Sequence, residues 1–424
     1  MKEVCQYYDN LTGLFTNEFF RKKVDEALKS NCRFVIALLK IDNIWQVNTL
    51  YGFDKGDRVI KEIADRLKEA CSRNSILGRI YGTIFGCCFS SRDMKKKIQL
   101  ISEEISKPIK ISGDVFAPDV KVGVALYPEH GNRVEELLRK AELALYMVLC
   151  GEAEGNVYIY SEKCERLIRK NVELKVKLEE ALDKGEIKVF YQPVVRLFDG
   201  KIIGVEALLR WLKNGKVYIP TEEFITVAEN YDSLIKRLSY FVLKTAVKDI
   251  SFSDKNLYLF INLSARQFKD KNLIEEIERI LTAHRFPSSK LILEITERTM
   301  MENPEKAKKI IGELKLIGVK LAVDDFGTGF SSLKYLVEFD IDRIKIDKSF
   351  IDNLIHDKKS WTVVKSIISL SHNLSALVLA EGVEKEEQVK ELKKLGCDEA
   401  QGYYFSKPLP YEKLIEFLRE KELY

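Results

Sequence analysis

The sequence predicts an α/β protein whose second half closes into a TIM-type (β/α)8 barrel. Three observations carry that reading. At 424 residues the chain is long for one domain and comfortable for two. In its second half, eight apolar strand-like runs alternate with segments of helical period. Polar functional groups stand at or just past the ends of those runs, as in barrels that keep their chemistry on one face.

The runs are VFYQPVV (189–195), IIGVEALL (202–209), NLYLFINLS (256–264), KLILEIT (290–296), KLAVDD (320–325), RIKID (343–347), ALVLAEG (376–382) and EAQGYYF (399–405). Helical segments fall between most of them, at 233–250, 266–283, 304–317, 359–374 and 385–395. The link between the first two runs is too short for a helix, so strand one is expected to pair unusually. Residues 161–183 carry apolar side chains at Leu167, Val172, Leu174, Val176, Leu178 and Leu182, with charges elsewhere. They read as an amphipathic helix, either a packed linker or a signalling coiled coil. The first domain is expected over 1–160 and the barrel domain over 165–424, with 161–183 as linker helix.

Composition narrows the partners. The chain has 69 basic and 65 acidic residues and a net charge of +4, which gives no electrostatic case for nucleic acid or an anionic membrane. Its eight cysteines show no C-x-x-C spacing and only four histidines accompany them, so neither a zinc pattern nor a secreted disulfide framework is present. Ile84-Phe85-Gly86-Cys87-Cys88-Phe89 reads as a buried strand, and the adjacent cysteines not as a redox pair. The N-terminus MKEVCQYYDN has no apolar signal core. No apolar run approaches the ~20 residues of a membrane span. A cytoplasmic protein with reduced thiols and no membrane segment is expected.

The strand-end groups are Gln192, Glu206, Asn262, Glu294, Asp324, Asp325, Lys345, Glu381 and Gln401. Adjacent carboxylates such as Asp324 and Asp325 must take up protons or hold cations. Glu206, Glu294, Asp324, Asp325 and Glu381, with the Asn262 amide oxygen, make an oxygen-rich nest suited to Mg2+ or Mn2+. Two ions about 4 Å apart would bridge an attacking water and a phosphoryl oxygen. Lys345 would take up phosphoryl charge or assist the water, and Arg210 would fork onto a phosphate. Gly327 and Gly329 would let the following loop bend close to ligand or to a second subunit. Each acid alone has an ordinary alternative as a helix cap. Their joint occurrence at successive strand ends favours the site.

These residues resemble an EAL-domain cyclic di-GMP phosphodiesterase. The likeness runs from about Arg169 to Tyr411, through YQPVV, EALLRW, NLS, EITE, DDFGTGF, KIDKSF, AEGVE and QGYYFSKP in family order. It implies a TIM-type barrel that hydrolyses cyclic di-GMP to linear pGpG with two Mg2+ or Mn2+ ions, and a homodimer formed through the barrel. It implies Glu206, Asn262, Glu294, Asp324 and Asp325 as metal ligands, Glu381 at the metal-water site and Lys345 as the catalytic lysine. Gln192 and Arg210 match substrate contacts, and Gln401 an orienting glutamine. Glu297 matches the anchor of the DDFG loop, and Glu384 a supporting acid. Phe330 stands where the family usually has Tyr, and Phe339-Asp340 where it has Leu-Pro.

The first half resembles a GGDEF (diguanylate cyclase) domain, through DNLTGLFTNEFF (9–20), IDNIWQVNTLYGFDKGD (41–57), VGVALYP (122–128) and AELALY (141–146). The likeness implies an α/β palm with a mainly antiparallel sheet. The cyclase centre is degraded: the acidic pair of the signature is Thr83 and Ile84, another metal-binding aspartate is Lys40, and the triphosphate lysine is Leu149. Clustered phosphate charge needs metal ions, so no cyclase activity is expected. The inhibitory R-x-x-D is absent, its positions being Ser72 and Ser75. Asn48 and Asp57 match guanine-reading positions and either bind GTP or remain as structural polar groups. The reading is therefore a silent GGDEF-like module, regulatory or dimerising, ahead of a phosphodiesterase. The alternative is a non-hydrolysing cyclic di-GMP receptor that signals through a protein partner.

Overall fold

Phe34–Ile41 (FVIALLKI) is apolar at nearly every position and buried on both faces, so it forms the centre of a sheet. The computed structural model describes residues 7–29, 32–72, 74–90, 93–253, 256–327 and 337–422. The chain divides into two compact units, 1–172 and 173–424, and the division falls within the helix Glu162–Asp183.

The first unit contains strands β1 (Phe15–Thr16), β2 (Phe34–Ile41), β3 (Ile76–Tyr81), β4 (Ile84–Phe89), β5 (Ile109–Ile111), β6 (Asp114–Phe116), β7 (Val120–Tyr127) and β8 (Val157–Ile159). Six of them make a sheet in the order β1-β3-β4-β2-β7-β8, while β5 and β6 form a separate hairpin. The β3–β4, β4–β2 and β2–β7 pairings are antiparallel and only the two edges are parallel. This is the mainly antiparallel palm expected. Helix Val134–Leu149 lies so close to β7 that a Cβ at Gly123 would stand 2.2 Å from the Ala141 carbonyl oxygen.

The second unit contains β9 (Ile187–Arg196), β10 (Ile202–Lys213), β11 (Lys216–Ile219), β12 (Tyr258–Asn262), β13 (Leu291–Thr296), β14 (Lys320–Phe326), β15 (Arg343–Ile346), β16 (Leu377–Ala380), β17 (Glu399–Ala400) and β18 (Leu409–Pro410). Eight of these close a barrel in the order β10-β12-β13-β14-β15-β16-β17-β9, and β9 returns to β10. The unusual first strand is β9. It runs antiparallel to both neighbours, because a short turn rather than a helix joins it to β10.

Strand alternation sorts the barrel's side chains. Val194, Phe260, Ile292, Ala322 and Leu379 pack together as an inner cluster. Leu259, Ile261, Leu293, Leu321, Val323 and Val378 join the larger core under the helices. Two expected segments differ. The span 266–283 is two helices, Ala265–Phe268 and Leu273–His284. The run 399–405 keeps only the short β17 and then turns, with Gly402 so close to Val383 that a Cβ would lie 2.1 Å from its carbonyl oxygen. Phe330 and Gly329 lie outside the described residues.

Among the described residues, no helix is long and apolar enough to cross a membrane. Inside the barrel, Arg343 and Glu399 form a buried two-pronged ion pair at 2.9 and 3.0 Å. The guanidinium also stacks on Tyr258 and Phe260, 4.8 and 5.5 Å from the ring centroids. Removing one partner of such a pair strands a buried charge. Glu399→Ala is therefore expected to lower stability by about 3 kcal/mol in urea unfolding, whereas Arg343→Met with Glu399→Leu recovers most of the loss.

Candidate active site

The strands β10, β12, β13, β14, β15 and β16 lie parallel, so their carboxyl ends share one barrel mouth. Inward positions at or near those ends are Glu206, Asn262, Glu294, Asp324 and Lys345, with Glu381 one residue past β16. Antiparallel β9 brings Gln192 opposite Glu206. The helices after β13 and β15 are capped by Thr296 and Asp347, so Glu294 and Lys345 are not needed as caps.

Lys345 is 1 % exposed and lies at the centre. Its ammonium stands 2.7 Å from Glu381 Oε1, 2.8 Å from Glu294 Oε1, 3.1 Å from Asp324 Oδ1 and 3.8 Å from Glu206 Oε1. Burial alone would lower its pKa. The four carboxylates more than offset that and raise it well above the ordinary lysine range. Burial and the neighbouring acids push Glu294 well up against the pull of Lys345. Burial first, with Asp324 and Glu206, pushes Glu381 up to about 8, again against Lys345. Asp325 is raised by burial, by Asp324 and by Asp347.

An amide network fixes Glu206. Asn262 Nδ2 donates to its Oε1 at 2.8 Å, and Gln401 Nε2 donates to its Oε2 at 2.5 Å. Gln401 Nε2 also reaches Gln192 Oε1 at 3.0 Å, and Gln192 Nε2 donates to the Ser406 carbonyl at 3.1 Å. Asp325 is exposed and holds a left-handed backbone, φ +53°, an uncommon state for a residue with a Cβ. Glu297 accepts the Gly327 N–H at 3.4 Å, at the start of the loop after Asp325.

Not every expected residue joins the cluster. Glu384 is exposed and pairs with Lys348 at 2.7 Å. Arg210 donates to the Leu209 carbonyl at 2.6 Å and to Thr221 Oγ1 at 3.3 Å. In the first unit, Asn48 Oδ1 packs on Gly56, where a Cβ would lie 1.8 Å away, and Asp57 is exposed. Lys40 pairs with Asp42 at 2.7 Å, and Ile84 is buried in β4. Sequence reading missed Asp347, although its place two residues past Lys345 on the same strand end was visible.

A hard cation fits the donors present. Five carboxylates meet one ammonium here, an excess of negative charge. Glu294 Oε2 and Gln401 Oε1 are buried and accept no hydrogen bond, and Glu294 Oε1 meets only the Lys345 ammonium. Asp324, Asp325 and Glu381 each offer an oxygen, and these lie within 4.8 Å of one another. All are oxygen ligands, the set that Mg2+ and Mn2+ prefer.

The chain belongs to the family described as the EAL domain, which matches residues 175–408, and it carries a diguanylate cyclase GGDEF domain over residues 6–153. It is 31% identical over 421 residues to the bifunctional diguanylate cyclase/cyclic di-GMP phosphodiesterase MucR of Pseudomonas aeruginosa, covering 96% of this chain and 61% of that one. It is 30% identical over 426 residues to the cyclic di-GMP phosphodiesterase NbdA of the same organism, covering 97% and 54%. The chain thus spans little more than half the length of these curated relatives. Among solved structures, the PaMucR phosphodiesterase in complex with c-di-GMP aligns with TM-score 0.55 and 36% identity, over 57% of this chain and 99% of that one. Vibrio cholerae LapD, an S helix-GGDEF-EAL chain, shares the fold at TM-score 0.58 and 20% identity, over 95% and 96%.

Because Lys345 is the central counter-charge of the cluster, Lys345→Met is expected to destabilise the protein in EDTA by about 3 kcal/mol. Added Mn2+ should restore more stability to this variant than to the parent, read as the rise in melting temperature.

Proposed function

We propose that the barrel hydrolyses one phosphodiester bond of cyclic di-GMP to give linear pGpG, and that the GGDEF domain makes no cyclic di-GMP. The observation that carries this reading is the convergence of oxygen donors around the buried Lys345 at one barrel mouth. The names of MucR and NbdA, and the c-di-GMP complex of PaMucR, support the same substrate.

Glu206, Asn262, Glu294, Asp324, Asp325 and Glu381 would hold two divalent cations, Mg2+ or Mn2+. Such cations, when bound, acidify water and neutralise phosphoryl charge. The chain's own residues do the rest. Lys345 draws Glu294, Asp324 and Glu381 to one point and opposes negative charge developing beside them. Gln401 holds Glu206 and Gln192 in one hydrogen-bonded row, which fixes their orientation without a conformational search. Gln192 and Arg210 contact the substrate, Arg210 as a phosphate fork. Glu297 ties the loop after Asp325 through the Gly327 amide.

In the GGDEF domain, Lys40 and Ile84 stand where metal-binding acids would be needed. A lysine repels a cation and an isoleucine offers it no donor. The domain serves as a regulatory or dimerising module, and the barrel as a homodimer contact. GTP at Asn48 and Asp57 is a further arm of the same proposal. The second reading, a receptor without turnover, is disfavoured because all six oxygen donors are present.

Purified protein with Mn2+ or Mg2+ should convert cyclic di-GMP to pGpG, and EDTA should abolish this. Asp324→Asn should lower kcat by at least about a hundredfold, while a receptor would keep binding and show no pGpG from the parent protein. GTP with either metal should yield no cyclic di-GMP, and detectable product would overturn the inactive-cyclase reading.

A further inference from the structure

In the first unit, helix Phe53–Ala70 ends on Cys71, which is 9 % exposed. Its Sγ lies 3.4 Å from Sγ of Cys87, a fully buried residue of β4. Both are free thiols. They share one hydrophobic cluster, whereas Cys88 belongs to the cluster on the opposite face of the sheet. Strand alternation produces that separation. A cation completes the setting. Lys97, on helix Met94–Ser106, donates to the Ala70 carbonyl at 2.6 Å, one residue before Cys71. A thiol at the rim of the core thus has a second thiol in contact and an ammonium nearby.

We propose that Cys71 and Cys87 form a hydroperoxide-reactive pair that closes to a disulfide within the GGDEF domain. The thiolate is the nucleophile in such chemistry. The Cys87 hydrogen bond, chiefly, and the Lys97 charge lower Cys71. That same hydrogen bond and full burial hold Cys87 well up as the protonated donor. Burial pushes Cys88 up to about 12, and it faces away. Cys71 therefore attacks and Cys87 resolves.

The chemistry balances. The Cys71 thiolate attacks one oxygen of hydrogen peroxide, an S–O bond forms and the O–O bond breaks. The departing hydroxide takes a proton and leaves as water, and the sulfur has lost two electrons to the peroxide. Cys87 sulfur then attacks the sulfenic acid, its proton passing to the leaving hydroxide. An S–S bond forms, the S–O bond breaks and a second water departs.

The experiment treats the reduced full-length chain with dilute hydrogen peroxide, blocks residual thiols and digests with trypsin. Linkage of the fragment 69–73 (EACSR) to 80–92 (IYGTIFGCCFSSR) is expected, with loss of two of the eight free thiols. Cys88→Ala should keep the link, and Cys71→Ser or Cys87→Ser should remove it. The oxidised protein should also melt at higher temperature, since the bridge restricts the unfolded chain. Eight alkylatable thiols after treatment would overturn the proposal. So would a bridge through Cys88 or between chains through exposed Cys32, or a Cys71 that stops at the sulfinic or sulfonic acid.

Discussion

A single buried ammonium governs the barrel. Lys345 has essentially no contact with solvent, and three carboxylate oxygens lie within 3.1 Å of it. An unpaired charge at that depth would neutralise rather than persist. The acids keep it charged, and it keeps them together. Yet one cation cannot balance five carboxylates, so the arrangement retains a demand for more positive charge. Raised carboxyl pKa values and cation affinity at this mouth are two consequences of the same imbalance.

The barrel makes that imbalance possible by being regular. Parallel strands carry inward residues at alternate positions, and register sets them at similar depth. Below the polar mouth lie Val194, Phe260, Ile292, Ala322 and Leu379, a dry floor. Beside that floor, Arg343 and Glu399 form a buried two-pronged pair. The contrast is instructive. That pair is matched one to one and stacked on aromatic rings. The cluster at the mouth is mismatched, and Glu294 Oε2 is buried there without a donor.

The two units place their charged side chains differently. In the barrel the oxygen donors gather around Lys345 at one mouth. In the palm, Lys40 closes on Asp42 at 2.7 Å. Ile84 fills its place in a strand that is buried throughout. The palm's packing survives because a strand position tolerates an apolar residue more readily than an unpaired charge. Its contact of Cys71 with Cys87 joins the end of helix Phe53–Ala70 to β4.

Much of this was legible in the chain. Period-two apolar runs and the helices between them marked the barrel, since alternation is a local property of each segment. The polar residue at each strand end was visible for the same reason, and the short 195–202 link already implied that the first strand would pair unusually, though not that it would run antiparallel. Other features needed the closed structure. Gln401 meets Glu206 across 195 residues of chain, and Arg343 meets Glu399 across 56. Glu384, placed by motif near the site, turns instead to Lys348. The Cys71–Cys87 contact gave no local signal. Spacing along a strand decides which face a residue takes. Which residues then touch depends on register and closure, and these are fixed only when all eight strands are in place.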